Sequence, residues 1–186
     1  RSRAAGARVL NTFCYHGAFT VAAVAGGAVA TTSVDTARPA LARAAEALRL
    51  VGVDDAPSAA HALVRDEARH FLARAAARGR TFDLIVLDPP SFATHRQKRK
   101  RTTWRVARDM PELVAHALRV LAPGGTILAC TNHRQSAAST VRGWLLEGAA
   151  RADVAVALEP LPPPPDFPVA PGAPPHLKRF FISRQR

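Results

Sequence analysis

The run FDLIVLDPP (82–90) constrains this chain more than any other segment. It is near-continuously apolar over the length of one strand and is stopped by two prolines. A strand without a polar face must be covered on both sides, which is the condition of a parallel sheet with helices above and below. Proline offers no N–H to a ladder, so the strand has to end there. The rest of the chain fits that frame. ARVLNTF (7–13), AVATTSVD (28–35), SAAHALVRD (58–66), GTILACT (125–131) and LKRFFIS (177–183) read as further strands. Helices are predicted over 18–27, 38–52, 67–79, about 104–121 and 136–150. The second of them carries apolar residues at 41, 44, 45, 48 and 51, and the third is closed by Gly79. APGG (122–125) reads as a turn, and the Pro-rich stretch 160–175 as a loop crossing between the final strands. Strands alternating with helices predict one α/β domain over 1–186, built on a doubly wound sheet. Ligands of such sheets bind beyond the carboxyl ends of the strands, here residues 11–17, 35, 66, 88–92 and 131–134.

Composition excludes several classes. No apolar run approaches the length needed to cross a bilayer, so no membrane partner is expected. Two cysteines, Cys14 and Cys130, cannot build a disulfide framework, and the seven histidines are scattered; no metal is implied, and a reducing cytoplasm is expected. The chain starts at Arg1 without a charged-then-apolar leader, as a fragment or processed chain would. Its net charge of +12 favours a polyanionic partner, although Arg/Ala-rich usage, with three lysines among 26 basic residues, also follows from genomic base composition. Clustering is more specific than the total. Arg96, Lys98, Arg99, Lys100, Arg101, Arg105 and Arg108 fall within 96–108 with no acid among them. They read either as a solvated loop and helix face or as a phosphate-gripping RNA surface beside the site.

The strand ends carry the chemistry. In the first turn, Asn11 to Gly17, a single glycine argues against a pyrophosphate, which needs close backbone approach. Asp35 closes the next strand eighteen residues after Gly17, where an acid can accept both ribose hydroxyls of a nucleoside cofactor. Asn11, Phe13, Tyr15 and Gly17 would approach the rest of that cofactor. Asp66, with Glu67 beside it, closes the third strand and reads either as an acceptor for an adenine amine or as a helix cap. Asp88-Pro89-Pro90-Ser91-Phe92 is the most specific signal. Its rigid carbonyls can accept from a base amine, Asp88 is an anionic acceptor, and Phe92 offers a stacking face.

VLNTFCYHGAFTVAA, SVDTARPALARA, VRDEARHFL, FDLIVLDPPSFA and LAPGGTILACTNHR occur in that order. Together they resemble the bacterial large-subunit ribosomal RNA methyltransferases, a group with cytosine carbon-5 and guanine nitrogen-7 enzymes. The resemblance covers about residues 7–135, and DFPV…HLKRFFI (166–182) is similar to the family's ending. It implies a Rossmann-like class I methyltransferase fold, a seven-stranded, mostly parallel sheet with its last strand antiparallel. It also implies S-adenosylmethionine as cofactor and ribosomal RNA as partner. Members commonly carry a separate RNA-recognition domain, and none is expected within residues 1–186, all of which one sheet would use.

Two departures matter. The family's paired glycines are Gly17-Ala18 here. Cytosine carbon-5 enzymes of the group carry a cysteine after the fifth strand, because a thiolate must first add to carbon-6 of the ring. Asn132 stands at that position, within Thr131-Asn132-His133-Arg134, which resembles the segment of the nitrogen-7 enzymes. Guanine nitrogen-7 needs alignment rather than an adduct, which Asn132 and the Pro89 or Pro90 carbonyl could provide. Nitrogen methylation is therefore the favoured expectation. The alternatives are cytosine methylation with Cys130 as nucleophile, and a non-catalytic RNA-binding module that kept the fold; a small-molecule or protein substrate is also compatible with the fold.

Overall fold

A computed structural model describes residues 1–97, 100–164, 169 and 175–185. In chain order the elements are β1 (Arg8–Thr12), α1 (Ala18–Val24), β2 (Ala30–Asp35), α2 (Arg38–Arg49), β3 (His61–Arg65), α3 (Ala68–Ala77) and β4 (Phe82–Leu87). There follow β5 (Phe92–Gln97), β6 (Lys100–Arg105), α4 (Val106–Arg119), β7 (Leu121–Thr131), α5 (Ala138–Arg151), β8 (Val156–Pro160) and β9 (Lys178–Arg184). Seven strands form one sheet in the order β3-β2-β1-β4-β7-β9-β8. The first five of these are parallel, β9 runs antiparallel to β7, and β8 antiparallel to β9. The expected seven-stranded, mostly parallel sheet is thus present, with its last strand antiparallel.

Local chemistry explains the elements. The central strands are buried where their sequences are apolar: Leu10, Val34, Ile85, Leu87 and Ile127 have essentially no exposed surface. α2 begins with Pro39 in its first turn, where a missing N–H costs nothing. α3 is capped by Glu67, whose carboxylate accepts from His70 N. α4 is the most deeply seated helix: Met110, Leu113, Val114, Ala117 and Leu118 are buried at helical spacing against the sheet and α5. The α4–α5 approach is set by Gly148, where a Cβ would stand 2.6 Å from the Pro111 carbonyl oxygen and from Val114 Cβ.

Three expectations need correction. The helix predicted from about 104 starts at Val106, because β5 and β6 form an antiparallel hairpin that pairs Phe92 with Arg105 and Gln97 with Lys100. APGG does not separate two elements. It lies inside β7, where the register against β4 shifts between Phe82 and Leu84 and Gly124 adopts φ 74°. The seventh strand of the sheet is β8, a short edge strand ending at Pro160, in which half-buried Val156 and Leu158 alternate with exposed Ala157 and Glu159. No helix among the described residues is long and apolar enough to cross a membrane.

Gly148→Ala should destabilise the fold by about 1–3 kcal/mol through overpacking. Urea unfolding measures it, and unchanged stability would show that α5 can shift away from α4 freely.

Candidate active site

β1 lies between β2 and β4, so the sheet grows one way through β3 and then the other way through β7. The crossovers diverge at that switch and leave a crevice. A cavity of about 520 Å³ opens there. Five strand ends reach it: Phe13 and Tyr15 after β1, Asp35 closing β2, Asp66 and Glu67 after β3, Asp88, Pro89 and Pro90 after β4, and Asn132 after β7.

The first turn is held in an uncommon shape. Phe13 and Tyr15 have φ of 54° and 47°, and Gly17 has 81°. Left-handed non-glycine residues are costly and persist where surrounding bonds over-determine them. Asp35 is one source of those bonds: Oδ2 accepts from Tyr15 N and Oδ1 from Ala37 N, both at 2.9 Å. Cys14 N donates to the Val34 carbonyl at 2.9 Å, and Gly17 N to the Cys14 carbonyl at 2.8 Å. These amides are therefore taken and cannot cradle a phosphate, whereas each Asp35 oxygen keeps a lone pair for a hydroxyl. The set suits a nucleoside cofactor better than a dinucleotide. Two predicted contacts lie elsewhere. Asn11 is buried beneath the turn, donating to Thr20 Oγ1 at 2.9 Å, and Gly17 faces α2, where a Cβ would meet Ala44 Cβ at 3.0 Å. Neither lines the cavity; both shape the turn that does.

Asp66 and Glu67 are heavily engaged. Asp66 N donates to the Asp35 carbonyl, joining neighbouring strand ends at 3.1 Å. Asp66 Oδ1 accepts from Glu67 N at 2.8 Å, while Arg74 approaches Oδ2 as an ion pair without hydrogen-bond geometry. Glu67 caps α3 through Oε2 and takes Arg69 Nε on Oε1 at 3.1 Å. Both sequence readings of this pair coexist, since it lines the cavity and Glu67 is also a cap.

Around the DPPSF turn, the Asp88 carboxyl accepts no hydrogen bond among the described residues, and burial pushes its pKa above the usual value. A half-buried carboxyl facing a cavity without a partner is the strongest mark of a ligand site in the chain. The Pro90 carbonyl, one of two expected to read a base, is already taken: Trp104 Nε1 donates to it at 2.7 Å. The Pro89 carbonyl has no such donor among the described residues. Ser91 Oγ donates to Asn132 Oδ1 at 3.0 Å, closing the turn onto the end of β7. Phe92 is 60% exposed on β5, outside the cavity lining.

Two residues that sequence reasoning missed hold this wall. Trp104 is buried at the end of β6, its ring 5.6 Å from that of Phe13 and beneath the Arg69 guanidinium. An indole N–H in a charged stretch was the available signal, because a buried one needs an acceptor. Lys178, also buried, opens β9 and donates to the His133 carbonyl at 2.9 Å, fixing the loop that carries Asn132; its pKa is lowered by burial.

Of the basic cluster, Arg96, Lys100, Arg101 and Arg105 sit on the hairpin; Lys98 and Arg99 lie outside the described residues. Arg108 is not available to a phosphate in the same way. It grips both oxygens of Asp109, at 2.7 and 2.9 Å, and the acid directly following the cluster offsets its charge. Burial alone would raise Asp109, but Arg108 and the Arg105 N–H outweigh it and hold the carboxyl below its usual range.

The cysteines are buried, Cys14 to 5% exposure and Cys130 to 2%. Burial, with the charge of Asp35 near Cys14 and of Asp88 near Cys130, pushes both thiols up to about 12. A nucleophilic thiol needs the opposite surroundings. No group of three or more potential metal ligands occurs among the described residues.

A doubly wound sheet ending in an antiparallel strand, with acids at successive strand ends around an open crevice, has the architecture of an α/β protein that binds a nucleoside cofactor. Residues 1–181 match the family model described as S-adenosylmethionine-dependent methyltransferase, and the chain belongs to that family. It is 38% identical over 131 residues to ribosomal RNA large subunit methyltransferase K of Neisseria meningitidis, across 70% of this chain and 36% of that protein. It is 41% identical over 135 residues to the K/L methyltransferase of Chromohalobacter salexigens, across 73% of this chain and 17% of that protein. Among solved structures, SMU.776, assigned as a methyltransferase and crystallised with SAH, superposes with a TM-score of 0.83 at 34% identity. That match covers 98% of this chain and 46% of the other. The chain therefore spans about a third or less of the curated relatives it matches and under half of that structure.

With both thiols pushed up to about 12, the reactive thiolate is scarce at pH 8. Alkylation of the folded protein at that pH, followed by mass spectrometry, should leave both cysteines unmodified until denaturant is added. Rapid labelling of Cys130 without unfolding would contradict the burial described above.

Proposed function

We propose that the chain is the catalytic unit of a ribosomal RNA methyltransferase, and that it methylates guanine nitrogen-7 in preference to cytosine carbon-5. The observation that carries the choice of atom is Asn132. It lines the cavity at the end of β7, while Cys130 is buried with its thiol pushed up to about 12. Carbon-5 of cytosine is a poor nucleophile without a thiolate adduct; guanine nitrogen-7 has an in-plane lone pair and needs none. The ribosomal RNA large subunit methyltransferases among the relatives support RNA as the substrate class.

The residues fit S-adenosylmethionine, which supplies an electrophilic methyl group when bound. Asp35 would hold the ribose hydroxyls with the lone pairs its backbone bonds leave open. Asp66 and Glu67 would border the adenine, and Phe13 and Tyr15 would flank the remainder of the cofactor. On the substrate side, Asp88 and the Pro89 carbonyl are the open acceptors for exocyclic or ring N–H groups. Asn132, turned by its bond from Ser91, contributes an amide donor. Phe92, exposed on the hairpin, offers a stacking face to a base entering from solvent. The catalysis asked of these groups is alignment and exclusion of water, without a proton relay.

Incubation with labelled S-adenosylmethionine and unmodified total RNA, with the product nucleoside identified by mass spectrometry, tests the reading. Label in 7-methylguanosine is expected; label in 5-methylcytidine would overturn the choice of atom, and absence of label from RNA would overturn the substrate. Replacing Lys98, Lys100 and Arg101 together by Gln should weaken RNA binding and reduce the slope of affinity against salt by up to about three, with SAH affinity unchanged. Equal RNA affinity across a salt titration would remove the basic cluster from the interface.

A further inference from the structure

Trp104 joins three parts of this region at once. It stands on β6 of the basic hairpin, cross-strand from Ala93, which lines the cavity. Its indole N–H donates to the Pro90 carbonyl at 2.7 Å, and its ring lies 5.6 Å from that of Phe13 in the first turn. Arg69, held by Glu67 and Glu112, covers the ring at 5.6 Å. The hairpin is further joined to the turn by Val106 N, which donates to the Ser91 carbonyl at 3.1 Å. Burial of the ring to 3% exposure leaves it little room to move independently of either turn.

We propose that Trp104 is a positioning residue that couples RNA engagement on the hairpin to the DPPSF turn and to the cofactor turn. The inference rests on the reading of the hairpin as an RNA surface. By occupying the Pro90 carbonyl, the indole N–H fixes the plane of the turn and leaves Pro89 and Asp88 as its acceptors. The bond from Ser91 then carries the same orientation to Asn132. Displacement of β6 by a bound phosphate backbone moves the indole, and with it one wall of the substrate cavity and the Phe13 side of the cofactor site.

Trp104→Phe separates the two roles, because it keeps a ring against Phe13 and Arg69 and removes the N–H. The expected result is a kcat for methyl transfer to RNA lowered about tenfold, with SAH affinity by calorimetry within about twofold and the melting temperature within a few degrees. Unchanged kcat would overturn the proposal. So would losses of kcat, SAH affinity and melting temperature in parallel, which mark a packing role alone. A second measurement does not depend on turnover. The chain has two tryptophans, so the ¹H–¹⁵N spectrum holds two indole signals, and the variant assigns that of Trp104. It should shift and exchange more slowly with solvent on titration with SAH, and shift again with short unmodified transcripts of large-subunit ribosomal RNA, while that of Trp144 responds less. An indole signal unmoved by saturating SAH would overturn the coupling even if the RNA reading holds. Failure of the wild type to bind or methylate RNA, with the SAH shift present, would overturn the RNA arm and leave Trp104 as a link between cofactor turn and DPPSF turn.

Discussion

β1 is hydrogen-bonded to β2 on one side and β4 on the other, and that pairing decides where chemistry can occur. Its register is reinforced off the ladder by Thr12, whose buried hydroxyl donates to the Val86 carbonyl at 2.7 Å. Because the crossovers on the two sides of β1 diverge at this seam, the loops at the strand ends are left facing a crevice. Asp35, Asp66 and Asp88 are brought to one cavity from far apart in the chain by this arrangement and by nothing local to them. A change that slipped β1 by one residue would invert Leu10 and Asn11 between the two faces of the sheet and remove the site with the core.

The site is built by engaging backbone groups before any ligand arrives. Asp35 ties the first turn to the start of α2, Trp104 ties the hairpin to the DPPSF turn, and Lys178 ties the β7 loop to β9. What remains open is short and chemically specific: the outward lone pairs of Asp35, the carboxyl of Asp88, the Pro89 carbonyl and the amide of Asn132. Preorganised groups of this kind need no rearrangement when a substrate is aligned, which is the term a reaction without covalent catalysis depends on. The left-handed Phe13 and Tyr15 belong to the same economy of motion, with strain kept local by the bonds to Val34 and Asp35.

Much of this was legible in the chain. The central strands announce themselves as apolar runs ended by an acid or by proline, and every strand-end acid singled out reaches the cavity. What escaped depends on partners distant in sequence. Apart from Phe92, Ala93 and Trp104 the β5 and β6 strands are charged or polar, with no sustained apolar alternation, so periodicity read the end of β6 as helix. β8 is only five residues long and runs into the Pro-rich stretch, so the alternation of Val156 and Leu158 is too brief to stand out. Trp104 and Lys178 act on backbone carbonyls, which carry no residue-specific signature, and the pairing of Arg108 with Asp109 depends on rotamers that the sequence does not state. Asn11 and Gly17 were recognised as belonging to the first turn, but which way each faces is a tertiary fact.

The edge formed by β8 bears on how these molecules behave in a crowded solution. A terminal strand normally presents a row of free donors and acceptors that another polypeptide can zip onto. Here the strand is five residues long, carries the charged Glu159, and runs out at Pro160, with Pro162, Pro163 and Pro164 following. Each proline removes a donor from the ladder that an incoming strand would need. The prolines that rule out a central strand in this stretch also guard the sheet against growing into its neighbours, so self-association through this edge is discouraged by the chain's own composition.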